Sequence, residues 1–274
     1  MAELKPFRDN YYLWEYVPSI AASVIFLLLF LAVTVFHCWK AKKTKAKFCI
    51  AFCIGGLFQV IGYGARAACT KRTDQLMPYI IQSIFILLAP VLYAASIYMF
   101  LKRLMRAVEA EKYALIPIRW LTTTFVTGDV VSFLVQGSGA GMMAMDGMAN
   151  MAKGIVIGGL MVQIVIFGFF MVTSVVFEMR MRRAPTAREE MWRRHLYPLY
   201  AVSVLIMVRS IFRVIEYAGG QTGYLLSHEW PLYVFDAVLM LGVMIIWGRW
   251  HPGTIRQGVL GEQVMSIGGY QSKA

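Results

Sequence analysis

The sequence predicts an all-α fold: a polytopic membrane protein, a seven-helix transmembrane bundle with its amino terminus outside and its carboxyl terminus cytoplasmic. Three observations predict it. The first is composition. Of 274 residues, 59% are hydrophobic and only 15% charged, and the mean hydropathy is +0.60. Soluble domains carry about 25% charged residues, so a soluble enzyme and a disordered chain are both disfavoured. The second is segmentation. Seven stretches approach the roughly 20 apolar residues that a spanning helix needs. The third is charge asymmetry between the loops.

The spans read in order as Val17–His37, Phe48–Ala68, Pro78–Leu101, Ile118–Gln136, Gly154–Phe177, Leu196–Tyr217 and Pro231–Trp250. The first lies behind a mixed-charge segment and is too long for a cleavable signal, so it is expected to stay as a helix. The second is crowded with Gly55, Gly56, Gly62 and Gly64, as close helix packing requires. The third contains Pro90, which breaks one hydrogen bond and is expected to give a static kink. The fifth opens on a GxxxG pair, Gly154 and Gly158, expected at a helix contact. The seventh ends at His251-Pro252-Gly253, a helix stop. Residues 1–256 are expected to form one transmembrane domain, and 257–274 a short, poorly ordered cytoplasmic tail. The segment from Gly137 to Lys153 is expected to be the longest outer loop.

Orientation follows from the basic residues. With the amino terminus outside, the inner loops hold Lys40, Lys42, Lys43, Lys45 and Lys47; Lys102, Arg103, Arg106, Lys112 and Arg119; and Arg180, Arg182, Arg183, Arg188, Arg193 and Arg194; the tail adds Arg249, Arg256 and Lys273. The outer segments hold only Lys5, Arg8, Lys71, Arg72 and Lys153. The net charge of +12 is thus read as a topology signal and a contact for anionic lipid, not as a nucleic-acid surface. Trp14, Trp39, Trp192, Trp230, Trp247 and Trp250 stand at span ends and are expected to form an interfacial belt. Four cysteines and four histidines suggest neither a disulfide framework nor a metal site, and no cofactor is expected. His228, at the outer mouth of helix 7, is a candidate pH sensor, although a loop histidine is usually inert.

The remaining arginines lie inside the spans: Arg66, Arg209 and Arg213, with the acids Asp129, Glu216 and Asp236. A charge near the bilayer centre costs about 2.5–3.5 kcal/mol on insertion scales and should face the bundle interior. Spacing agrees. Arg209, Arg213 and Glu216 fall at i, i+4 and i+7 on one face of helix 6; Gln59, Tyr63 and Arg66 repeat the pattern on helix 2; Asp129, Ser132 and Gln136 share a face of helix 4. Helix 7 adds Tyr233 and Asp236, helix 3 adds Gln82 and Tyr93, and helix 5 adds Gln163. The cluster is expected in the outer half of the bundle. Intramembrane ionisable groups mark ligand or ion pathways, but the three arginines and three acids could equally lock the bundle by neutralising one another. Arg213 and Glu216 are placed for a local pair. Asp129 and Asp236 have no basic residue at i±3 or i±4 on their own helix, which makes them the stronger ligand candidates.

Several of these residues also carry a family resemblance. The run Tyr16-Val17-Pro18-Ser19, Gly62-Tyr63 with Arg66, Gln82 with Ala89-Pro90, Ala95-Ser96-Ile97-Tyr98, and Phe125-Val126-Thr127-Gly128-Asp129 with Gln136 resemble the fungal RTA1-like family. The most specific stretch is Arg209-Ser210-Ile211-Phe212-Arg213-Val214-Ile215-Glu216-Tyr217, followed by Gly220, Gly223, Glu229, Tyr233-Val234-Phe235-Asp236 and His251-Pro252. Helix 2 departs from the pattern, with Gln59 where the family often has Glu, which removes a possible proton-carrying acid. The resemblance implies a fungal seven-helix protein associated with translocation of sphingoid long-chain bases and with resistance to toxic amphiphiles.

Three functions are therefore weighed. A lipid translocator at the plasma membrane would use Asp129 and Asp236 for a cationic headgroup, with Glu216, Arg213, Arg209, Arg66, Tyr63, Gln136, Gln59, Gln82 and Tyr233 lining the site. Its partners would be membrane lipids and a sphingoid base or similar amphiphile. No Walker motif supplies ATP chemistry. A seven-helix lipid receptor or sensor is the alternative, although helix 3 ends Met99-Phe100-Leu101-Lys102-Arg103 without an acidic-Arg-Tyr switch, and helix 7 has no lysine for a retinal Schiff base. A zinc hydrolase would need three ligands, and His37, His195 and His251 lie at the opposite side from His228. The expectation is a protein that is not an enzyme.

Overall fold

A computed structural model describes residues 16, 18–46, 49–70, 73, 75–142, 148–183, 189–220 and 223–250. Among them, seven helices are long and apolar enough to cross a membrane. They are α1 (Ile20–Thr44), α2 (Ile50–Cys69), α3 (Leu76–Ala107), α4 (Ile118–Met142), α5 (Ala149–Arg182), α6 (Glu189–Ala218) and α7 (Trp230–Arg249). The described residues contain no strand. A short helix, Tyr224–Ser227, precedes α7. The expected tail and the amino-terminal segment before Tyr16 lie outside the described residues.

Consecutive helices pack side by side, α1 closes against α7, and α3 also meets α6. This places α3 at the centre: 67% of its apolar window is buried, against 22% for α1. The outward faces of the peripheral helices are apolar and exposed, for example Ile25, Leu28 and Val35 on α1 and Val165, Val172 and Phe169 on α5. Such a surface is stable only against hydrocarbon. An aromatic spine fills the interior between α1, α2, α3 and α7. Phe26 stacks on Tyr233 at 5.2 Å, Phe30 on Tyr63 at 5.3 Å, Phe52 meets Tyr93 at 4.5 Å, and Phe100 meets Trp247 edge-on at 5.1 Å.

Several sequence expectations are corrected here. Trp247 does not join an interfacial belt; it is 2% exposed in the spine, whereas Trp39, Trp230 and Trp250 are exposed. The outer loop expected from Gly137 to Lys153 is mostly helical, because α4 runs on to Met142 and α5 begins at Ala149. Three glycines in residues 137–142 give that turn low helix propensity, and packing favours it instead: Gly139 lets α4 approach α5, where a Cβ would lie 3.0 Å from the carbonyl oxygen of Ala152. The Gly154/Gly158 pair, by contrast, has nothing within 4 Å of its notional Cβ positions. The contact uses Gly159 instead, where a Cβ would lie 3.1 Å from Ser132 O and 3.2 Å from Gln136 N, both backbone atoms that cannot swing away. In α2 the expectation holds. Gly55 faces Tyr93 and Ala89, Gly56 faces Thr34, and Gly62 faces Ile86.

This difference gives a controlled test. Gly159→Ala should force α4 and α5 apart and destabilise the protein by about 1–3 kcal/mol, the usual cost of overpacking. Gly158→Ala, one residue away in open space, should be neutral or stabilising by up to about 1 kcal/mol. Thermal unfolding of the two variants in one detergent would show the contrast, and equal melting temperatures would contradict this packing.

Candidate functional site

The helix ends expected outside are called the outer ends below. Near them the polar side chains gather into two linked clusters. The first is centred on Arg66, which lies in the last turn of α2 and is fully buried. Its Nη2 donates to Glu229 Oε1 at 2.8 Å and to Tyr16 Oη at 3.0 Å; its Nε donates to Tyr233 Oη at 3.1 Å; Nη1 approaches Gln82 Oε1 at 3.5 Å. Glu229 also accepts the Ser19 backbone N–H on both oxygens, at 2.9 and 3.0 Å. Ser19 is the N-cap of α1, so this carboxylate sits at the positive end of the α1 dipole. Tyr233 donates to Glu229 Oε1 at 3.1 Å and shares a 3.0 Å hydrogen bond with Ser23. One buried guanidinium thus ties together α1, α2 and the entry to α7.

The second cluster joins α6 to α7. Arg209 Nε donates to Asp236 Oδ1 at 2.7 Å, and Arg213 Nη2 pairs with Asp236 Oδ2. Arg213 Nη1 also donates to Glu216 Oε2 at 2.9 Å, the local pair that the spacing predicts. The backbone prepares both partners. Residues Tyr233–Val238 form a π-helical segment, a feature concentrated at functional sites, and it buries both Tyr233 and Asp236. On α3, Pro90 has no N–H to give to the carbonyl of Ile86. Arg209 Nη2 takes up that freed oxygen at 3.4 Å. The proline therefore supplies an acceptor to a buried arginine.

Asp236 is consequently no vacant ligand for a cation. Spacing along one helix shows it unpartnered, but two arginines from the neighbouring helix hold both of its oxygens. The expected neutralisation of three arginines by Asp129, Glu216 and Asp236 is also revised. Arg66 takes Glu229, from the loop before α7, as its partner. Arg209 and Arg213 take Asp236 and Glu216. Asp129 is left over.

Asp129 stands about 17 Å along α4 from Ile118, near the middle of the helix by its rise per residue. It is 1% exposed. Tyr98 of α3 donates to Oδ2 at 2.8 Å, and Oδ1 is buried with no partner among the described residues. Around this pair the walls are aromatic: Phe170 lies 4.5 Å from the Tyr98 ring, Phe125 5.3 Å and Phe167 6.2 Å. A sequence reading that ranks helix 3 by Gln82 and Tyr93 passes over Tyr98. The available signal was its place in the Ala95-Ser96-Ile97-Tyr98 run of the family resemblance, within an apolar stretch of the central helix.

The other candidates divide. Tyr63 lies within electrostatic reach of Arg66, Arg213 and Asp236, and its hydroxyl has no partner among the described residues. Gln59, one turn inward on α2, is fully buried, with neither amide atom paired among them. Gln136 is not part of either cluster; it donates to Gln163 at 3.0 Å and joins α4 to α5. His228 turns its Nδ1 to the Tyr224 carbonyl at 2.9 Å, outside the polar network.

Comparison with known proteins bears on this arrangement. The family model described as RTA1 like protein matches residues 52–258. Protoporphyrin uptake protein 1 of Saccharomyces cerevisiae is 34% identical, over 86% of this chain and 91% of its own length. Protein RTA1 of the same yeast is 34% identical, over 87% of this chain and 84% of its own. The sphingoid long-chain base transporter RSB1 of Saccharomyces cerevisiae is 23% identical, over 88% of this chain and 74% of its own. No solved structure matches the chain. The matched region runs from near the start of α2 through the end of α7 and includes Asp129 and the arginines and acids of both clusters, so the chain belongs to the RTA1-like family of integral membrane proteins.

Proposed function

We propose that this protein translocates amphiphilic cations, with sphingoid long-chain bases as the candidate cargo, and that it does so at the plasma membrane, where it would lower the burden of toxic amphiphiles. One observation carries the reading. Among the described residues, every buried arginine in the spans has an acid partner, while Asp129 has a neutral tyrosine and one free oxygen. A bare carboxylate in apolar surroundings is costly unless a cation accompanies it. A long-chain ammonium supplies that cation, its N–H groups meeting Oδ1, while its tail remains in hydrocarbon. The aromatic walls add attraction for an ammonium. The name of the yeast long-chain base transporter supports this choice of cargo. No covalent chemistry is assigned to the chain.

The test is reconstitution. Purified protein in liposomes, followed with a labelled sphingoid base, should move label between leaflets at least tenfold faster than empty liposomes. Asp129→Asn keeps an oxygen for Tyr98 but has no charge, and it should fall to the empty-liposome rate. Wild-type speed in the variant would overturn the assignment. Label that binds but does not cross would favour the receptor or sensor reading.

A further inference from the structure

We propose that Asp129 holds a proton or an ammonium in alternation, which makes transport an electroneutral exchange of one cationic amphiphile for one proton. The inference rests on the translocation reading above and adds its energy source.

The argument begins with what surrounds the carboxylate. From α3 it faces Tyr98, a neutral phenol that already donates to Oδ2. On α5 the packed groups are the rings of Phe167 and Phe170, both against Tyr98. On its own helix, Ser132 turns back to the Gly128 carbonyl, and Gln136 is taken up by Gln163. Among the described residues, Tyr98 is the one titratable group acting on Asp129, and no charged side chain does. The arginines that could have supplied a fixed counter-charge are engaged with Glu229, Asp236 and Glu216. The compensating cation must therefore come from outside the protein.

Two such cations fit one free oxygen: a proton, or the N–H of an ammonium. They compete for it, and the empty ionised state is the expensive one. The exchange balances without electron transfer. The ammonium leaves Oδ1 as a proton bonds to that oxygen, converting carboxylate to carboxylic acid. On the other side the proton departs as the next ammonium arrives. One positive charge moves each way, so a pH gradient drives the cycle and membrane voltage does not. A gradient of one pH unit sustains about a tenfold gradient of amphiphile, since each tenfold ratio is about 1.4 kcal/mol.

The experiment uses full-length protein in liposomes and a labelled long-chain alkylguanidinium. Its headgroup keeps N–H donors for Oδ1 and stays charged, so it does not cross as a neutral amine. Voltage is clamped with potassium and valinomycin, and a trapped dye reports lumenal pH. With the lumen one pH unit more acidic, the wild type should accumulate the probe about tenfold while lumenal pH rises. Asp129→Glu, which keeps the carboxyl group, should retain the coupling, and Asp129→Asn should lose it. Equilibration of the probe with no pH dependence and a silent dye would overturn the exchange while leaving translocation intact. A probe that stays on one side in every arm, while a labelled sphingoid base also fails to move, would overturn both.

Discussion

Asp236→Ala should unfold a large fraction of the protein. It would leave Arg209 and Arg213 buried together with no shared counter-ion, and only Glu216 to serve Arg213. Breaking a buried ion pair by removing one partner costs about 3–5 kcal/mol, and like charges facing each other add to it. A substitution that removes the charges together should restore much of the loss, because a buried ion pair replaced by apolar groups of similar volume is often neutral. Asp236→Leu combined with Arg209→Met is the informative double variant. Its stability should lie above that of Asp236→Ala in a denaturant titration of the purified protein. A single variant as stable as wild type would mean that Asp236 is not the lock described here.

Glu229→Ala is the second large effect, at about 3 kcal/mol, the lower end of the same range because the Glu229 side chain is 19% exposed. Four contacts fail together: the Arg66 pair, the Tyr233 hydrogen bond and the two bonds from the Ser19 amide. Arg66 is the fully buried member, so it is the group that loses its Glu229 carboxylate inside the bundle. Glu229→Gln should retain part of the Ser19 cap and lose the charge. Arg66→Met with Glu229→Gln should then recover stability, since neither residue is charged. Hydrogen exchange at the start of α1 would report the loosened cap directly, with faster exchange at Ser19 in Glu229→Ala than in Glu229→Gln.

These contacts explain what the sequence could and could not reveal. The spans were legible because a bilayer demands long apolar runs, and those runs need no knowledge of neighbours. Their ends were less so. Helix α5 extends from Ala149 to Arg182, well past the apolar core at 154–177, because a helix continues into the interface with charged residues such as Arg180 and Arg182. Inward faces were legible on α2 and α6 from i, i+4 and i+7 spacing, and Arg213 with Glu216 was legible as a local pair. Pairing between helices was not. Asp236 has no partner along its own helix, yet it is held by two arginines from α6. Glu229 sits in a connecting segment in sequence but reaches a guanidinium 163 positions away. Tyr98 draws its meaning from Asp129, which lies on the next helix. Pro90 announces a missing hydrogen bond in the sequence, but not that Arg209 takes up the carbonyl it frees. Each of these depends on tertiary placement, which no period along one helix encodes.

The consequence is a division of labour among carboxylates that looked alike in the sequence. Glu229, Asp236 and Glu216 neutralise arginines and bind together the half of the bundle expected to face outside. Asp129 neutralises no charge among the described residues, and it lies near the middle of α4 between α3 and α5. A structural change at the first three should appear as lost stability. A change at Asp129 should leave the fold standing and remove a function.

The most direct measurement is equilibrium binding to the purified protein in lipid nanodiscs, comparing a labelled long-chain amine with a long-chain alcohol of equal length. The two share a tail and differ in charge, so their ratio isolates the headgroup. Wild-type protein should bind the amine at least tenfold more tightly, about 1.4 kcal/mol, and Asp129→Asn should bind both alike while unfolding at the wild-type temperature. A preference for the amine that survives in Asp129→Asn would contradict the account.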